Sequence, residues 1–265
     1  MTILPTTRRA FHELLWFGDQ QVQACLFGAL LLAGLLLTRF WEPSNSLSRQ
    51  DFLFLYAVGL QLGLLALRLE RPKELVVIAI FHLLATFMEW FKTSPAIGSW
   101  QYPGDDVIFR IYQVPLFAGF LYSAVGSYIA CAWRLLDFLF SRYPQFGWTV
   151  ALAVLAYANF FTHHFIIDLR WPQIVAAIAL FGPTWVSFRT GRRRRRMPLV
   201  LGLMAVAFFI YLAENLGTFA HGWVYPSQAD GWHLVSFHKF WAWFLLMILS
   251  FVLVSALHRK GLRRR

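Results

Sequence analysis

The chain reads as an all-α protein, a polytopic membrane bundle of about eight transmembrane helices. Three observations predict this. It is 58% hydrophobic and 18% aromatic with only 14% charged residues, and its mean hydropathy is +0.55, which is membrane-protein rather than soluble-domain composition. Apolar windows near bilayer-spanning length recur throughout the chain. Between those windows Lys and Arg divide unevenly, as a fixed membrane topology requires.

The windows fall at about 22–40, 52–68, 74–92, 111–133, 147–164, 171–188, 198–217 and 235–257. The first follows Arg8 and Arg9 with no clear small-residue cleavage site, so it is expected to stay as a signal anchor. The second is short. The fourth carries Gly119, Ala124, Gly126 and Ser127, a small-residue stretch that lets helix backbones approach closely in lipid. The eighth begins in polar sequence. With the N-terminus inside, the inner connections hold Arg8, Arg9, Arg68, Arg71, Lys73, Arg134, Arg142, Arg189, Arg192 to Arg196, Arg259, Lys260 and Arg263 to Arg265. That is 18 of the 24 basic residues, leaving Arg39, Arg49, Lys92, Arg110, Arg170 and Lys239 outside. This split predicts both termini in the cytoplasm of a bacterial cell, with the chain in its cytoplasmic membrane, and an odd number of spans would spoil it.

Charge and cysteines exclude other classes. The net charge of +11 gathers in short inner loops, where Arg192 to Arg196 fixes topology and can meet anionic headgroups. No aromatics interleave with these bases, so nucleic acid is not an expected partner; membrane lipids are. Cys25 and Cys131 lie within spans on the inner side and read as apolar filler.

The strongest functional signal is a repeated pair of glutamates. Glu89-Trp-Phe-Lys92-Thr93 leads to Gly98-Ser-Trp100-Gln-Tyr102-Pro103, and Glu214-Asn215-Leu-Gly217-Thr218 leads to Gly222-Trp223-Val-Tyr225-Pro226. Each glutamate ends a long apolar window. A carboxylate at a helix centre costs about 2.5–3.5 kcal/mol on insertion scales, so such a residue marks a functional site. The two windows are four apart and therefore parallel. This suggests a single integral membrane domain, residues 1–265, built as a 4+4 parallel repeat with halves 19–134 and 145–258 about an axis along the membrane normal.

Other side chains could join this centre. Glu89 and Lys92 can pair on one helix face, and His82 lies two turns before Glu89 on the same face. Glu214 has no basic residue within a turn; Asn215 follows it, and Lys239 of the eighth window could face it across the axis. Tyr122 could place a hydroxyl inside the bundle. A second cluster is Asn159, His163, His164 and Asp168, with Asn159/His163 and His164/Asp168 at i, i+4. The His163-to-Asp168 spacing matches the His-x4-Asp of some glycerolipid acyltransferases, whose glycine-rich partner motif is missing here. His163, His164, Asp168, His221, His233, His238 and the glutamates also suit a metal such as Zn, Fe or Mn, although no HExxH, CxxC or di-iron histidine box is present. The sequence leaves a metal, a cofactor and the oligomeric state open.

Several of these stretches, together with others, resemble a bacterial family of integral membrane proteins, the domain of unknown function numbered 817. The matching stretches are Val77 through Lys92, Gly98 to Pro103, Val114 to Tyr128, Asn159 through Trp171, and Gly222 to Pro226. The resemblance covers most of the chain and implies an integral membrane protein, with no activity attached. The step from Glu214 to Gly222-Trp223-Val-Tyr225 is also similar to turns of carotenoid hydratases and cyclases, which suggests an isoprenoid substrate.

These readings converge on a membrane-embedded enzyme acting on a lipid or isoprenoid at the outer leaflet. Glu89 and Glu214 transfer protons with His163, His164 and Asp168 assisting. His82, Lys92, Trp100, Tyr102, Tyr122, Asn159, Asn215, Trp223, Tyr225 and Lys239 line the substrate site. Carboxylates and aromatic walls suffice for polyene or polyprenyl protonation without a cofactor. A proton-coupled small-solute transporter is the alternative, since carboxylates at a repeat interface also serve alternating access. A non-catalytic membrane scaffold is the third reading.

Overall fold

The computed structural model describes residues 4–41, 47–104 and 106–258. Arg259, Lys260 and Arg263 to Arg265, part of the expected inner charge, lie outside the described residues, as do the side chains of Arg8, Arg9 and Lys73. Eight α-helices alternate in direction: α1 (Leu4–Phe40), α2 (Arg49–Ala66), α3 (Pro72–Thr93), α4 (Phe117–Leu136), α5 (Phe146–Thr162), α6 (Arg170–Phe181), α7 (Leu199–Phe219) and α8 (His238–Leu257). Each occupies one of the expected windows. Among the described residues four helical stretches are long and apolar enough to cross a membrane: Ala10–Phe40, Glu74–Thr93, Leu199–Phe219 and His238–Leu257.

Local chemistry sets the boundaries. Ser48 caps α2 by accepting from the Asp51 amide. Pro72 opens α3, and the Glu74 carboxylate accepts from the Arg71 amide three residues back. Pro183 follows α6 closely, and a proline cannot continue a helix.

Three windows are corrected. Residues 110–115, expected to begin the fourth span, form a small hairpin of β1 (Arg110–Ile111) and β2 (Val114–Pro115). The fifth helix stops at Thr162, so His163 and His164 sit in a turn. The sixth window breaks at Phe181. Its helix has 12 residues, about 18 Å at 1.5 Å per residue against a hydrocarbon core of about 30 Å.

Its remainder enters β4 (Trp185–Thr190), which pairs antiparallel with β3 (Leu139–Ser141) and β5 (Arg193–Pro198). The arginine run is therefore a strand rather than a loop. Its charges are partly met: Arg193 and Arg195 pair with Glu13 of α1, and Arg194 with Asp137. This three-stranded sheet marks one end of the bundle, and the two W-x-Y-P turns mark the other.

The helix neighbours repeat. α3 packs on α4 as α7 packs on α8, α1 on α4 as α5 on α8, and α1 on α2 as α5 on α6; α4 and α8 meet in the middle. Small residues permit the α3–α4 approach: a Cβ on Gly119 would lie 2.5 Å from the His82 ring, and one on Gly126 the same distance from Phe81.

Candidate functional site

The two W-x-Y-P turns meet each other. Gln101 and Val224, the central residues of the two motifs, exchange amide-to-carbonyl hydrogen bonds of 2.9 Å in both directions, an antiparallel bridge. The rings of Trp100 and Tyr225 then pack edge to face at 6.0 Å, an attractive arrangement for aromatic quadrupoles. Trp223 lies over Gly217, where any Cβ would clash at 2.3 Å.

Glu89 is 1% exposed, and both its oxygens are occupied. The Trp100 indole N–H donates at 2.7 Å and the Tyr102 hydroxyl at 2.8 Å to Oε2, and the Tyr122 hydroxyl of α4 donates at 2.6 Å to Oε1. Three donors thus converge on Glu89, and each of its oxygens has at least one hydrogen-bond partner.

Glu214, 4% exposed, follows the same plan with different parts. The Tyr225 hydroxyl donates to Oε1 and the Trp243 indole of α8 to Oε2. Tyr225 stands eleven residues after Glu214, the separation of Trp100 from Glu89. The two-residue difference in motif spacing thus gives Glu214 the tyrosine, while Trp223 packs without reaching it. Burial, with the neighbouring carboxylates, raises the phenols of Tyr102 and Tyr225 well above their ordinary range, so both stay protonated donors.

Neither lysine makes its expected ion pair. The Lys239 ammonium lies 4.0 Å from the Tyr225 ring centroid and 5.4 Å from that of Trp100, a cation–π position between the two centres. Lys92, 5% exposed, turns away from Glu89 toward α5. Its ammonium reaches His164 Nε2 at 2.8 Å and His163 Nε2 at 3.3 Å.

The second cluster is assembled differently from its spacing. Because α5 ends at Thr162, Asp168 does not share a helix face with His164. Its carboxylate accepts from Asn159 and from the Arg170 amide, both at 2.9 Å, and pairs with Arg170 at 3.3 Å. Asn159 also accepts from the Leu169 amide. His163 faces the Asn159 carbonyl through Nδ1 at 2.7 Å, so the His-x4-Asp pair of the acyltransferases is not formed. Asn215 likewise pins backbone, accepting from the Val235 amide at 2.9 Å. His82 packs on Gly119 and Phe120 away from both carboxylates. Among the described residues no three His, Cys, Asp or Glu side chains gather closely enough to hold a metal ion.

Beneath the glutamates lies a narrow cleft of about 20 Å³ with almost wholly apolar walls. Phe81, Leu84, Ala85 and Met88 of α3 form one side, Tyr157 of α5 and Met247 of α8 another. Tyr122 and Trp243 close it toward the turns, their rings 5.8 Å apart. The same two side chains donate to Glu89 and Glu214, so the cleft and the carboxylate centre share a wall.

Sequence reasoning passed over Asp51. Fully buried, it accepts from the backbone amides of Ile108 and Phe109 and from Ser48, fastening the loop after the first turn to α2. Its position early in a span, like Glu89 late in one, was the available signal. Glu70, buried against Gln61 and Ser127 near the sheet end, was also missed.

Long apolar helices, buried carboxylates and an internal apolar cleft define a multi-pass membrane protein. The chain belongs to the family described as protein of unknown function (DUF817), whose model matches residues 13–251. It is 42% identical over 249 residues to the uncharacterized protein YoaT of Bacillus subtilis (strain 168), covering 94% of this chain and 93% of that one. Among solved structures it resembles MvINS, a mycobacterial Insig homologue from Mycobacterium vanbaalenii, with TM-score 0.51 and 15% identity over 74% of this chain and 98% of that one. A cross-linked MvINS trimer matches over the same shares, with TM-score 0.50 and 15% identity. At such identity the likeness shows the fold alone.

Proposed function

We propose that this protein is a membrane-embedded lipid-handling enzyme whose cleft takes one apolar chain, acyl or polyprenyl, and whose Glu89 centre exchanges a proton with the bound molecule. One observation carries the reading: Tyr122 walls the cleft with its ring and donates its hydroxyl to Glu89 at 2.6 Å. A donor group lodged in the cleft can lose its proton to the Tyr122 oxygen while the Tyr122 hydroxyl proton passes to the Glu89 carboxylate, and the reverse transfers return it. Glu214 holds the mirror position, but its cleft-side partner is the indole of Trp243, which donates a hydrogen bond without relaying a proton. The roles of the two glutamates therefore diverge. Glu89 is the proton-active group, and Glu214 with Lys239 balances charge and fixes the second turn.

The two halves are a parallel repeat in this reading, supported by the exchanging helix contacts and by the antiparallel Gln101–Val224 bridge between parallel helices. The turns face outward and both termini inward in the cytoplasmic membrane, with α6 stopping short and the sheet completing its path. The sheet end carries the paired arginines, as inward-facing loops do.

The test is photo-crosslinking in membranes with a diazirine-bearing long-chain alcohol. Adducts on Ala85, Val125 or Met247 support the cleft. Labelling confined to the lipid-facing residues Leu83 and Phe209 contradicts it and leaves the scaffold reading. A proton-coupled carrier is the second reading, favoured by the two-fold arrangement around buried carboxylates. It predicts solute-driven proton uptake into proteoliposomes that Tyr122→Phe abolishes.

A further inference from the structure

Lys92 is buried, and among the described residues no carboxylate lies at ion-pair distance from it, which is unusual. An ammonium carries three donors and no acceptor, and removing it from water is costly unless a counter-charge replaces the lost hydration. Its two partners are imidazole nitrogens, His164 Nε2 at 2.8 Å and His163 Nε2 at 3.3 Å. Both must present lone pairs to it, which fixes the tautomers with the proton on Nδ1. His163 donates that N–H to the Asn159 carbonyl at 2.7 Å. His164 has no Nδ1 partner among the described residues, so its N–H is an unspent donor in a half-buried turn. Lys239 and Arg170 act repulsively on Lys92 and Asp168 and Glu89 attractively, but Asp168 is committed to Arg170 and Asn159, and Glu89 to Trp100, Tyr102 and Tyr122.

The cluster also sits at a particular place. Met88 walls the cleft, and Lys92 follows it by four residues on the same face of α3. On α5, Tyr157 walls the cleft and the His163–His164 turn lies just beyond its end, with Phe161 packed between Tyr157 and Phe91 at 5.1 Å from each. Along both α3 and α5 the apolar cleft walls are thus followed by the Lys92–His163–His164 group, an order that suits an amphiphile.

We infer that Lys92, His164 and Arg170 form a phosphate-binding site at the mouth of the cleft, so that the bound molecule is a phosphate-headed lipid with its tail among Met88, Ala85 and Phe81. Lys92 supplies its third N–H, His164 its Nδ1–H and Arg170 its half-buried guanidinium. Phosphate oxygens replace the missing counter-charge with charge-assisted hydrogen bonds. The inference rests on the cleft proposed above and names the head of its occupant.

The experiment measures binding to the full-length protein in neutral-lipid nanodiscs, with three probes: farnesyl phosphate, farnesol and inorganic phosphate. Farnesyl phosphate should bind at least about tenfold more tightly than farnesol, as one charge-assisted contact of about 1.5–3 kcal/mol requires. Lys92→Met and, separately, His164→Asn should remove that preference while leaving farnesol binding unchanged. The asparagine variant keeps a neutral polar side chain, so it guards against a folding defect in Lys92→Met. Equal binding of farnesol and farnesyl phosphate overturns the phosphate site while the cleft stands. Failure of both lipids overturns the cleft as well. Inorganic phosphate binding as tightly as farnesyl phosphate keeps the anion site and assigns it to soluble phosphate.

Discussion

At the residue scale the two glutamates behave as acceptors saturated by aromatic donors. Glu89 takes three hydrogen bonds and Glu214 two. Deleting one donor leaves a buried carboxylate oxygen unmatched, so Tyr225→Phe should lower stability by about 1–3 kcal/mol, read as a thermal shift in detergent. Tyr122→Phe should cost a similar amount and also abolish proton exchange in the cleft, whereas Trp243→Phe costs stability alone. His164 offers a pH test. Burial beside Lys92 lowers its pKa to about 4 from an ordinary 6.5. A histidine lowered on folding loses stability as pH falls from about 6.5 toward 4, because only the unfolded chain binds the proton readily there. Thermal stability should therefore drop across that window, and His164→Asn should flatten the drop. These glutamates were legible in the sequence because charge is rare in apolar windows. Their partners were legible in part: Trp100, Tyr102 and Tyr225 recur after each glutamate, but Trp243 lies in a stretch rich in tryptophan and nothing local distinguishes it. Lys92 was read toward Glu89 because i, i+3 neighbours share a helix face, and tertiary contact with the next hairpin overrode that local pairing.

Among the elements, the turns and the sheet do opposite work at the two ends of the bundle. The Gln101–Val224 bridge ties α3 and α7 through two 2.9 Å backbone bonds. Val224→Pro removes one donor and should free the two turns from each other, increasing amide exchange at both. At the other end Glu13 anchors β5 through Arg193 and Arg195. These pairs are largely exposed, so Glu13→Gln should leave the thermal midpoint nearly unchanged while loosening the hairpin to proteolysis. The helices themselves were readable from hydropathy, since each window contains one. The strands were not. Five consecutive arginines carry no strand signature, and β5 exists because β4 and the acid groups of Glu13 and Asp137 lie beside it, which only the tertiary structure brings together. The short α6 was hidden for a related reason: Trp185 and Val186 are as apolar as a span, and hydropathy does not see that Gly182-Pro183 has ended the helix.

For the whole molecule, the two glutamate–turn motifs meet at one end of the bundle, and α4 and α8 pack together beside the cleft. The proposed topology predicts that reporter tags at both termini stay on the cytoplasmic side, and that a cysteine placed at Ser227 in the second turn reacts with an impermeant maleimide from outside. The kinship of the two turns was visible in the order Glu, Thr, Gly, Trp, Tyr, Pro; the cleft was not, because its walls come from five helices and its apolar residues look like any other core. The most direct test of the account is native mass spectrometry of the protein extracted gently from its own membranes, beside Val125→Trp, which fills the cleft, and Glu89→Gln, which does not. The account predicts one discrete amphiphile mass on the wild type and on Glu89→Gln, and none on Val125→Trp. Bare wild-type protein, or the same lipid adducts on all three, would contradict it.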